Sequence, residues 1–371
     1  MVADLNTENH QPDIAGYQPP TGHSMDQPTE EQQQAMGVPV NQRQNAFHAL
    51  GTDVSDMSVD QALEHANMRN WNVRTIPHSQ IVELEDGTTT EVRIPNMNTV
   101  LRTNPFNGRP EALGAVGNRW TPFQNEQVAG LCQNLNGMAG LKPASYGVMG
   151  NGRKTFMSMK FPEGFEFQSP RGTVDVTDLY LTVFNSHDGF GSLSANITPV
   201  RPFCCNQQRS AESMATTRWL LRHTGESEIR IAQLEQMLNE SLEYHDKYRQ
   251  ATEAQIEYEL DQDAVLRELN QLLHANDLDL TERQREIRQD TVATIRGIYD
   301  GSETVAPFHG TAYGLLNAIT EYTDHYMGIR VPDGRNEREV RALRTLNNED
   351  LDRLKQRAFT QLLPADAKVL V

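Results

Sequence analysis

SYGVMGNGRKTFMSMKFP, residues 145–162, is the stretch from which the fold is read. Gly150-Asn151-Gly152 is a turn tripeptide, and alternating side chains run away from it on both sides. That pattern predicts a β-hairpin, with Phe156, Ser158 and Lys160 on one face of its second strand. Further on, VDVTDLYLTVFNSHDG (174–189) reads as a strand ending at a glycine turn, and SLSANITPVRPFC (192–204) as its antiparallel return. Strand character then stops near Cys205. Upstream, NVRTIPHSQIVELEDGTTTEVRIPNM (72–97) alternates about a Glu85-Asp86-Gly87 turn and reads as another hairpin, and LRTN (101–104) is a further strand candidate.

Helical periods flank these strands. In MSVDQALEHANM (57–68), Ser58 is an N-cap and Gln61, three residues on, completes a capping box. TPFQNEQVAGLCQNLNGM (121–138) reads as a helix entered through Thr121 and Pro122, with Val128, Leu131, Cys132 and Leu135 on one face, which makes Cys132 a small buried hydrophobe. From Ser210 onward the expectation is helix throughout, beginning with a long charged helix to about Leu273. GTAYGLLNAITEYTDHYMG (310–328) is a more apolar helix, and NNEDLDRLKQRAFTQLL (347–363) is the last. The fold class is α+β: an antiparallel hairpin-rich sheet in the N-terminal half, then long charged helices. Residues 1–44 read as a disordered acidic and polar arm, 45–212 as the sheet-containing core, and 213–371 as a helical region packed on it.

The chain has 371 residues and a net charge of −17. Residues 1–44 carry −5, 45–212 carry −3, 213–300 carry −8 and 301–371 carry −1. The acid sits on the arm and the helices, so bulk charge gives no attraction to nucleic acid, and only a local groove in the balanced segment can supply one. No run reaches the ~18 apolar residues of a membrane span, and the first residues lack the basic-then-apolar pattern of a secretory signal. The three cysteines, Cys132, Cys204 and Cys205, are odd in number and two are adjacent, which fits a reducing cytoplasmic setting.

The span from Phe184 to Ala211 gathers His187, Asp188, Arg201, Cys204 and Cys205, residue types used by metal sites and thiol enzymes. A His-Asp phosphohydrolase needs further His and Asp ligands on helices, whereas here the pair stands at a strand turn. A metal site would draw on His187, Cys204, Cys205 and His223, but adjacent cysteines point to opposite strand faces, so at most one of Cys204 and Cys205 can face such a cluster. A thiol nucleophile needs a base beside it, and no motif brings His187 to Cys204. His187, Asp188, Gly189, Cys204 and Asn206 are therefore read as organising the turn, with Gly189 supplying an unusual φ, and no metal or cofactor is expected. GNGRKT (150–155) has the flavour of a phosphate loop but lacks the upstream spacing, and a hairpin explains its glycines. Basic and aromatic residues interleave through the sheet half: Arg119-Trp120, Arg153-Lys154 before Phe156, Lys160-Phe161 and Arg201 before Phe203. Single-strand binders combine these two residue classes.

Taken in order, FHALGT (47–52), the helix followed by Trp71, LGAVGNRW (113–120) with FQNEQ, SYGVMGNGRKTFMSMKF, LYLTVFNSHDG, TPVRPFCCN, LRHTGE (221–226) and GTAYGLLNAITEYTDH resemble one family. It is the phage- and plasmid-borne family catalogued as domain of unknown function 932. The resemblance implies a mobile-element origin and no established activity. CCNQQ departs from the pattern, in which a single Cys is followed by Asn and Thr. The element order is also similar to single-strand annealing proteins of the RecT and Erf type, a likeness at fold level.

The expectation is a non-enzymatic cytoplasmic phage protein of DNA metabolism that binds or anneals single-stranded DNA as a homo-oligomer, together with phage or host replication and recombination proteins. Arg119, Trp120, Arg153, Lys154, Lys160 and Arg201 are the candidate nucleic-acid contacts. The alternatives are a metal- or thiol-dependent enzyme using His187, Asp188 and Cys204, and a protein–protein module directed at a host factor through the acidic helices after Glu226.

Overall fold

A computed structural model describes residues 46–201, 206–207, 218–224, 231–333 and 336–370. The expected N-terminal arm, Cys204 and Cys205 lie outside them.

The hairpin at 145–162 is present as β5 (Lys142–Met149) and β6 (Lys154–Lys160), paired in register from Met149↔Lys154 to Lys142↔Lys160 with one bulge. β8 (Val174–Ser186) lies antiparallel to β6, and β9 (Leu193–Arg201) returns along its other side. β1 (Gly51–Asp53) adds the edge beyond β5. β7 (Phe165–Gln168) continues the line of β6 along the first residues of β8. The order is β1-β5-β6-β8-β9, with β10 (Asn206–Gln207) and β11 (Arg218–Leu221) both on the far side of β9. β11 corrects the expectation of helix from Ser210 onward. RWLL is too short and too closely flanked by charge to show a period, and tertiary pairing with Leu193–Asn196 makes it a strand.

Both faces of this sheet are buried, so Met157 and Met159 are as enclosed as Phe156 and Ser158. On one face α1 (Ala46–Leu50) places Phe47 against Phe156, Phe184 and Tyr180, with ring centroids 5.8–6.5 Å apart. α8 (Glu337–Asn347) adds Ala342 and Leu343 there. On the other face lie α2 (Val59–His65), which carries the Ser58–Gln61 capping box, and α3 (Asn125–Ala139). α3 is capped by the Gln124–Gln127 pair instead of starting at Thr121-Pro122, and it buries Val128, Leu131, Cys132 and Leu135 as its period requires.

The rest of the helical half, α8 apart, packs on that second face. α4 (Ile231–Glu257) stops where Leu260 N–H turns to the Gly310 carbonyl and Glu259 bridges Thr311. The expected run to Leu273 is thus broken, and α5 (Gln262–Leu272) restarts with Asp261 as its cap. α6 (Glu282–Gly301) follows a Thr281–Gln284 capping box. α7 (Ala312–Glu321) is buried on every side and runs into a π-helical turn, Tyr322–Tyr326. α9 (Glu349–Gln361) closes the fold. One hydrophobic cluster extends from Val54 to Ala367, so sheet and helices share a core.

A separate meander, β2 (Arg74–Glu83), β3 (Thr89–Thr103) and β4 (Pro110–Gly117), crosses the end of the main sheet where the β5–β6 and β8–β9 turns lie. LRTN is part of β3. Among the described residues, no helix is long and apolar enough to cross a membrane.

Candidate functional site at the turn end of the sheet

Register brings the two turns together. Lys154 lies opposite Ser186, and His187 N–H donates to the Arg153 carbonyl at 2.7 Å. β3 and β4 then lie across them. Gly152 has φ +92°, and a Cβ there would run into the Arg102 guanidinium, so only glycine admits this packing. Gly189 has the unusual φ expected of it, +85°, and its α-carbon lies against Val116 of β4.

Arg102 is buried between partners. Its Nε and Nη2 donate to Glu111 Oε2 at 2.9 and 2.7 Å, and its guanidinium lies 4.2 Å from the centre of the Trp71 ring. Beside it opens a cleft of about 540 Å³, lined among others by Trp71, Arg102, Asn104, Phe106, Glu111 and Asn151. Phe106 is 78% exposed in the β3–β4 turn, next to exposed Arg109. Phe190, in the β8–β9 turn, is 89% exposed.

Behind the turns lies a buried polar junction. Asn125 Nδ2 donates to the Met68 carbonyl at 2.9 Å, which points its Oδ1 at Thr155 Oγ1 and at His187 Nε2, each 3.3 Å away. His187 therefore carries its proton on Nε2, and Nδ1 is an acceptor. His223 Nδ1 lies 3.0 Å from the Thr121 carbonyl, so its proton is on Nδ1 and its Nε2 is the acceptor. Asn185 Nδ2 donates to the Phe123 carbonyl at 3.0 Å. His187 Nδ1, His223 Nε2, Asn185 Oδ1 and the Trp120 indole N–H are all buried without a hydrogen-bond partner among the described residues. Asp188 is engaged locally: its Oδ1 accepts from Ser186 Oγ at 2.5 Å and from Phe190 N–H at 3.0 Å, as the turn reading requires.

Burial pushes the His187 pKa down to about 3, helped by nearby His223 and Arg102 and opposed by Asp188. Burial also lowers that of His223, against the Thr121 carbonyl and Asp188. A general base works best with a pKa near the ambient pH, and His187 is far from that. The junction holds two neutral imidazoles and fixes the turn. Among the described residues, no group of three His, Cys, Asp or Glu side chains is arranged to hold a metal ion. Cys132 is fully buried, which pushes its thiol up to about 12.

The six candidate contacts separate. Arg119 and Arg153 are exposed at the turn end, and Lys154 is half-buried beside them. Trp120 is half-buried and stacked on His223 at 4.9 Å and 16°, so one of its faces is already covered. Lys160 lies at the opposite end of β6, about 20 Å from Lys154 at ~3.3 Å per residue, and pairs with Asp178 at 2.7 Å. Arg201 is 1% exposed: Nε and Nη2 grip Asp175 at 2.8 and 2.7 Å, and Nη2 also reaches the Thr304 carbonyl at 3.2 Å. It is a buried structural cation, withdrawn from any surface groove. Asn206, placed with the turn residues from sequence, pairs with Arg201 in β10 at that far end.

Two features went unread. Phe106 and Phe190 stand in short turns, where an aromatic gives no periodic signal. EYTDH carries Glu321, Asp324 and His325 at i, i+3 and i+4 of an otherwise apolar helix, and that spacing was a readable sign of one polar face. All three are buried. Glu321 accepts from Ser302 Oγ at 2.9 Å and from Thr304 Oγ1, and Asp324 pairs with Lys355. Thr304 thus joins Glu321 to Arg201, linking the sheet to α7 through one threonine.

No curated protein and no solved structure matches this chain. The family described as domain of unknown function (DUF932) matches residues 112–354, more than half of its length. LGAVGNRW, SYGVMGNGRKTFMSMKF, LYLTVFNSHDG and GTAYGLLNAITEYTDH fall within the match, so the turn end of the sheet and the buried α7 are both included. The chain belongs to the DUF932 family.

Proposed function

We propose that this protein binds single-stranded nucleic acid, without catalysis, along the turn end of the main sheet. What carries the reading is the pair of exposed aromatics, Phe106 and Phe190, with Arg109, Arg119 and Arg153 on the turns that the meander gathers there. β4 spans this end, and its eight residues extend over roughly 23 Å at ~3.3 Å per step. That length accommodates a few nucleotides of an extended strand. Bases stacking on phenylalanine need no particular sequence, while arginines meet the phosphates. The cleft beside Phe106 offers room for one unstacked base, with Asn104 and Asn151 amides at its wall.

Most of the chain's acidic excess lies elsewhere, on the N-terminal arm and the helices, which favours single-strand binding confined to this end over wrapping of a duplex. An annealing role in phage recombination or replication is the finer form of the same proposal. The test is fluorescence anisotropy with labelled single- and double-stranded oligonucleotides of mixed sequence. Micromolar binding of single strands that weakens steeply between 50 and roughly 200 mM salt is expected. Arg153→Glu with Arg119→Glu should reduce it at least tenfold without changing the melting temperature. Absence of binding at low salt by the folded protein overturns the proposal.

A further inference from the structure

β2 and β3 run on together beyond the sheet they belong to. β4 pairs only with Met97–Thr103, whereas the β2–β3 ladder continues from Ser79↔Arg93 to Glu83↔Thr89. Every residue from Gln80 to Met97 is exposed. The result is a two-stranded ribbon, joined to the body across a bulge between Pro77 and Ser79. Two-stranded ribbons are marginal in water on their own.

This ribbon divides its chemistry by face. Opposed residues share a face, and Gln80↔Val92 and Val82↔Thr90 are such pairs. Leu84 and Ile94 extend the same alternation. That face carries Val82, Leu84, Val92 and Ile94, all 39–49% exposed, with Gln80 and Thr90 and no charge. The other face carries Glu83, Glu91 and Arg93 beside Ser79, Ile81 and Thr89, and Glu85 and Asp86 stand at the tip. An apolar stripe of this kind, rimmed by charge, marks an interaction surface.

We infer that the ribbon is a dimerisation arm, its uncharged face seated on the same face of a second copy of this chain. Charge selects that occupant. Four acids against Arg93 repel nucleic acid, and a basic protein would be drawn to the acidic tip and the opposite face. Two copies of a chain of net charge −17 repel one another wherever acid meets acid. The uncharged face is where they can meet without that cost, and an isologous two-fold contact keeps Glu83 and Glu91 pointing outward. The chain's own residues 1–45 are rich in Gln, Pro and Asp and poor in large apolar residues, so they offer little to cover the stripe. Six side chains fall well short of the roughly 800 Å² per partner of a standard interface. Ile76 and Met97 at the base of the arm are also exposed and add to the apolar area available there.

Sedimentation velocity of the full chain across the micromolar range tests this. The wild type is expected to sediment as a dimer. Val82→Lys with Val92→Lys is expected to give a monomer with an unchanged far-ultraviolet circular dichroism spectrum, and Glu83→Lys with Glu91→Lys to remain dimeric. A wild-type monomer at every concentration overturns the inference, as does a dimer indifferent to lysine at Val82 and Val92. Dimerisation that appears only after deletion of residues 1–45 also overturns it, because it assigns the face to the chain's own segment. A cysteine variant gives an independent reading: Val82→Cys should form an intermolecular disulfide on mild oxidation, and failure to cross-link in a dimeric sample contradicts the face-to-face geometry.

Discussion

Acid should weaken this protein through His187. The ring is fully buried and its pKa is held at about 3, against 6.5 in an unfolded chain. Between those values the unfolded chain binds a proton that the native state refuses. The contribution is therefore intact above pH 6.5 and is lost as pH falls through the window, by up to ~1.4 kcal/mol per pH unit. From pH 7.5 to 5 the loss attributable to this ring is about 2 kcal/mol. His223 and His48 are also lowered by burial and act with the same sign. The ring's share is isolated by comparing wild type with His187→Gln, whose amide can still donate to Asn125 Oδ1. Urea unfolding at pH 7.5, 6.5, 5.75 and 5 is the assay. The variant starts less stable but should lose about 2 kcal/mol less than wild type over that range. Equal losses in the two proteins, within about 0.5 kcal/mol, would refute the buried neutral imidazole. Imidazole nitrogen resonances of the native protein read the same claim directly: His187 should remain an Nε2–H tautomer at pH 5.

Removing one partner of a buried ion pair leaves the other uncompensated, so Arg201→Ala should cost about 3–5 kcal/mol in chemical denaturation; a loss under 1 kcal/mol would place that guanidinium at the surface. Gly152→Ala should cost more than about 1 kcal/mol, since it combines a φ of +92° with the Arg102 guanidinium, and a neutral result would contradict the packing of β3 on the hairpin. With Cys204 and Cys205 replaced by serine, Cys132 should resist a thiol reagent in native buffer and react only on unfolding, because burial holds its pKa at about 12. Phe190→Ala should leave stability within about 0.5 kcal/mol, as an exposed position does, while weakening single-strand binding; unchanged affinity would remove Phe190 from the site.

Local pattern carried the hairpins because each had a turn with its own chemistry. Gly150-Asn151-Gly152 and Asp86-Gly87 both lie at the turns of antiparallel ladders, where they were expected. The Ser58–Gln61 box likewise marked α2, since both capping partners are within three residues. β4 escaped notice because PEALGAVG places glycine beside small residues and shows no alternation, and its strand state comes from pairing with β3. Arg201 was misplaced for a related reason. An arginine at a strand end reads as solvent-facing until its partner is known, and Asp175 is 26 residues away. His187 and Asp188 were legible as turn residues, but nothing local reveals that Asn125 and His223 come to meet them.

The claim that single-stranded nucleic acid occupies the turn end is tested most directly by a hydrogen-exchange footprint. The full-length protein is compared with and without a saturating single-stranded oligonucleotide at low salt. Protection is predicted in peptides covering the β3–β4 turn around Phe106 and Arg109, the β5–β6 turn around Arg153, and the β8–β9 turn around Phe190. Protection confined to the Gln80–Met97 ribbon or to the helices after Ile231, with those three turns unchanged, would contradict it.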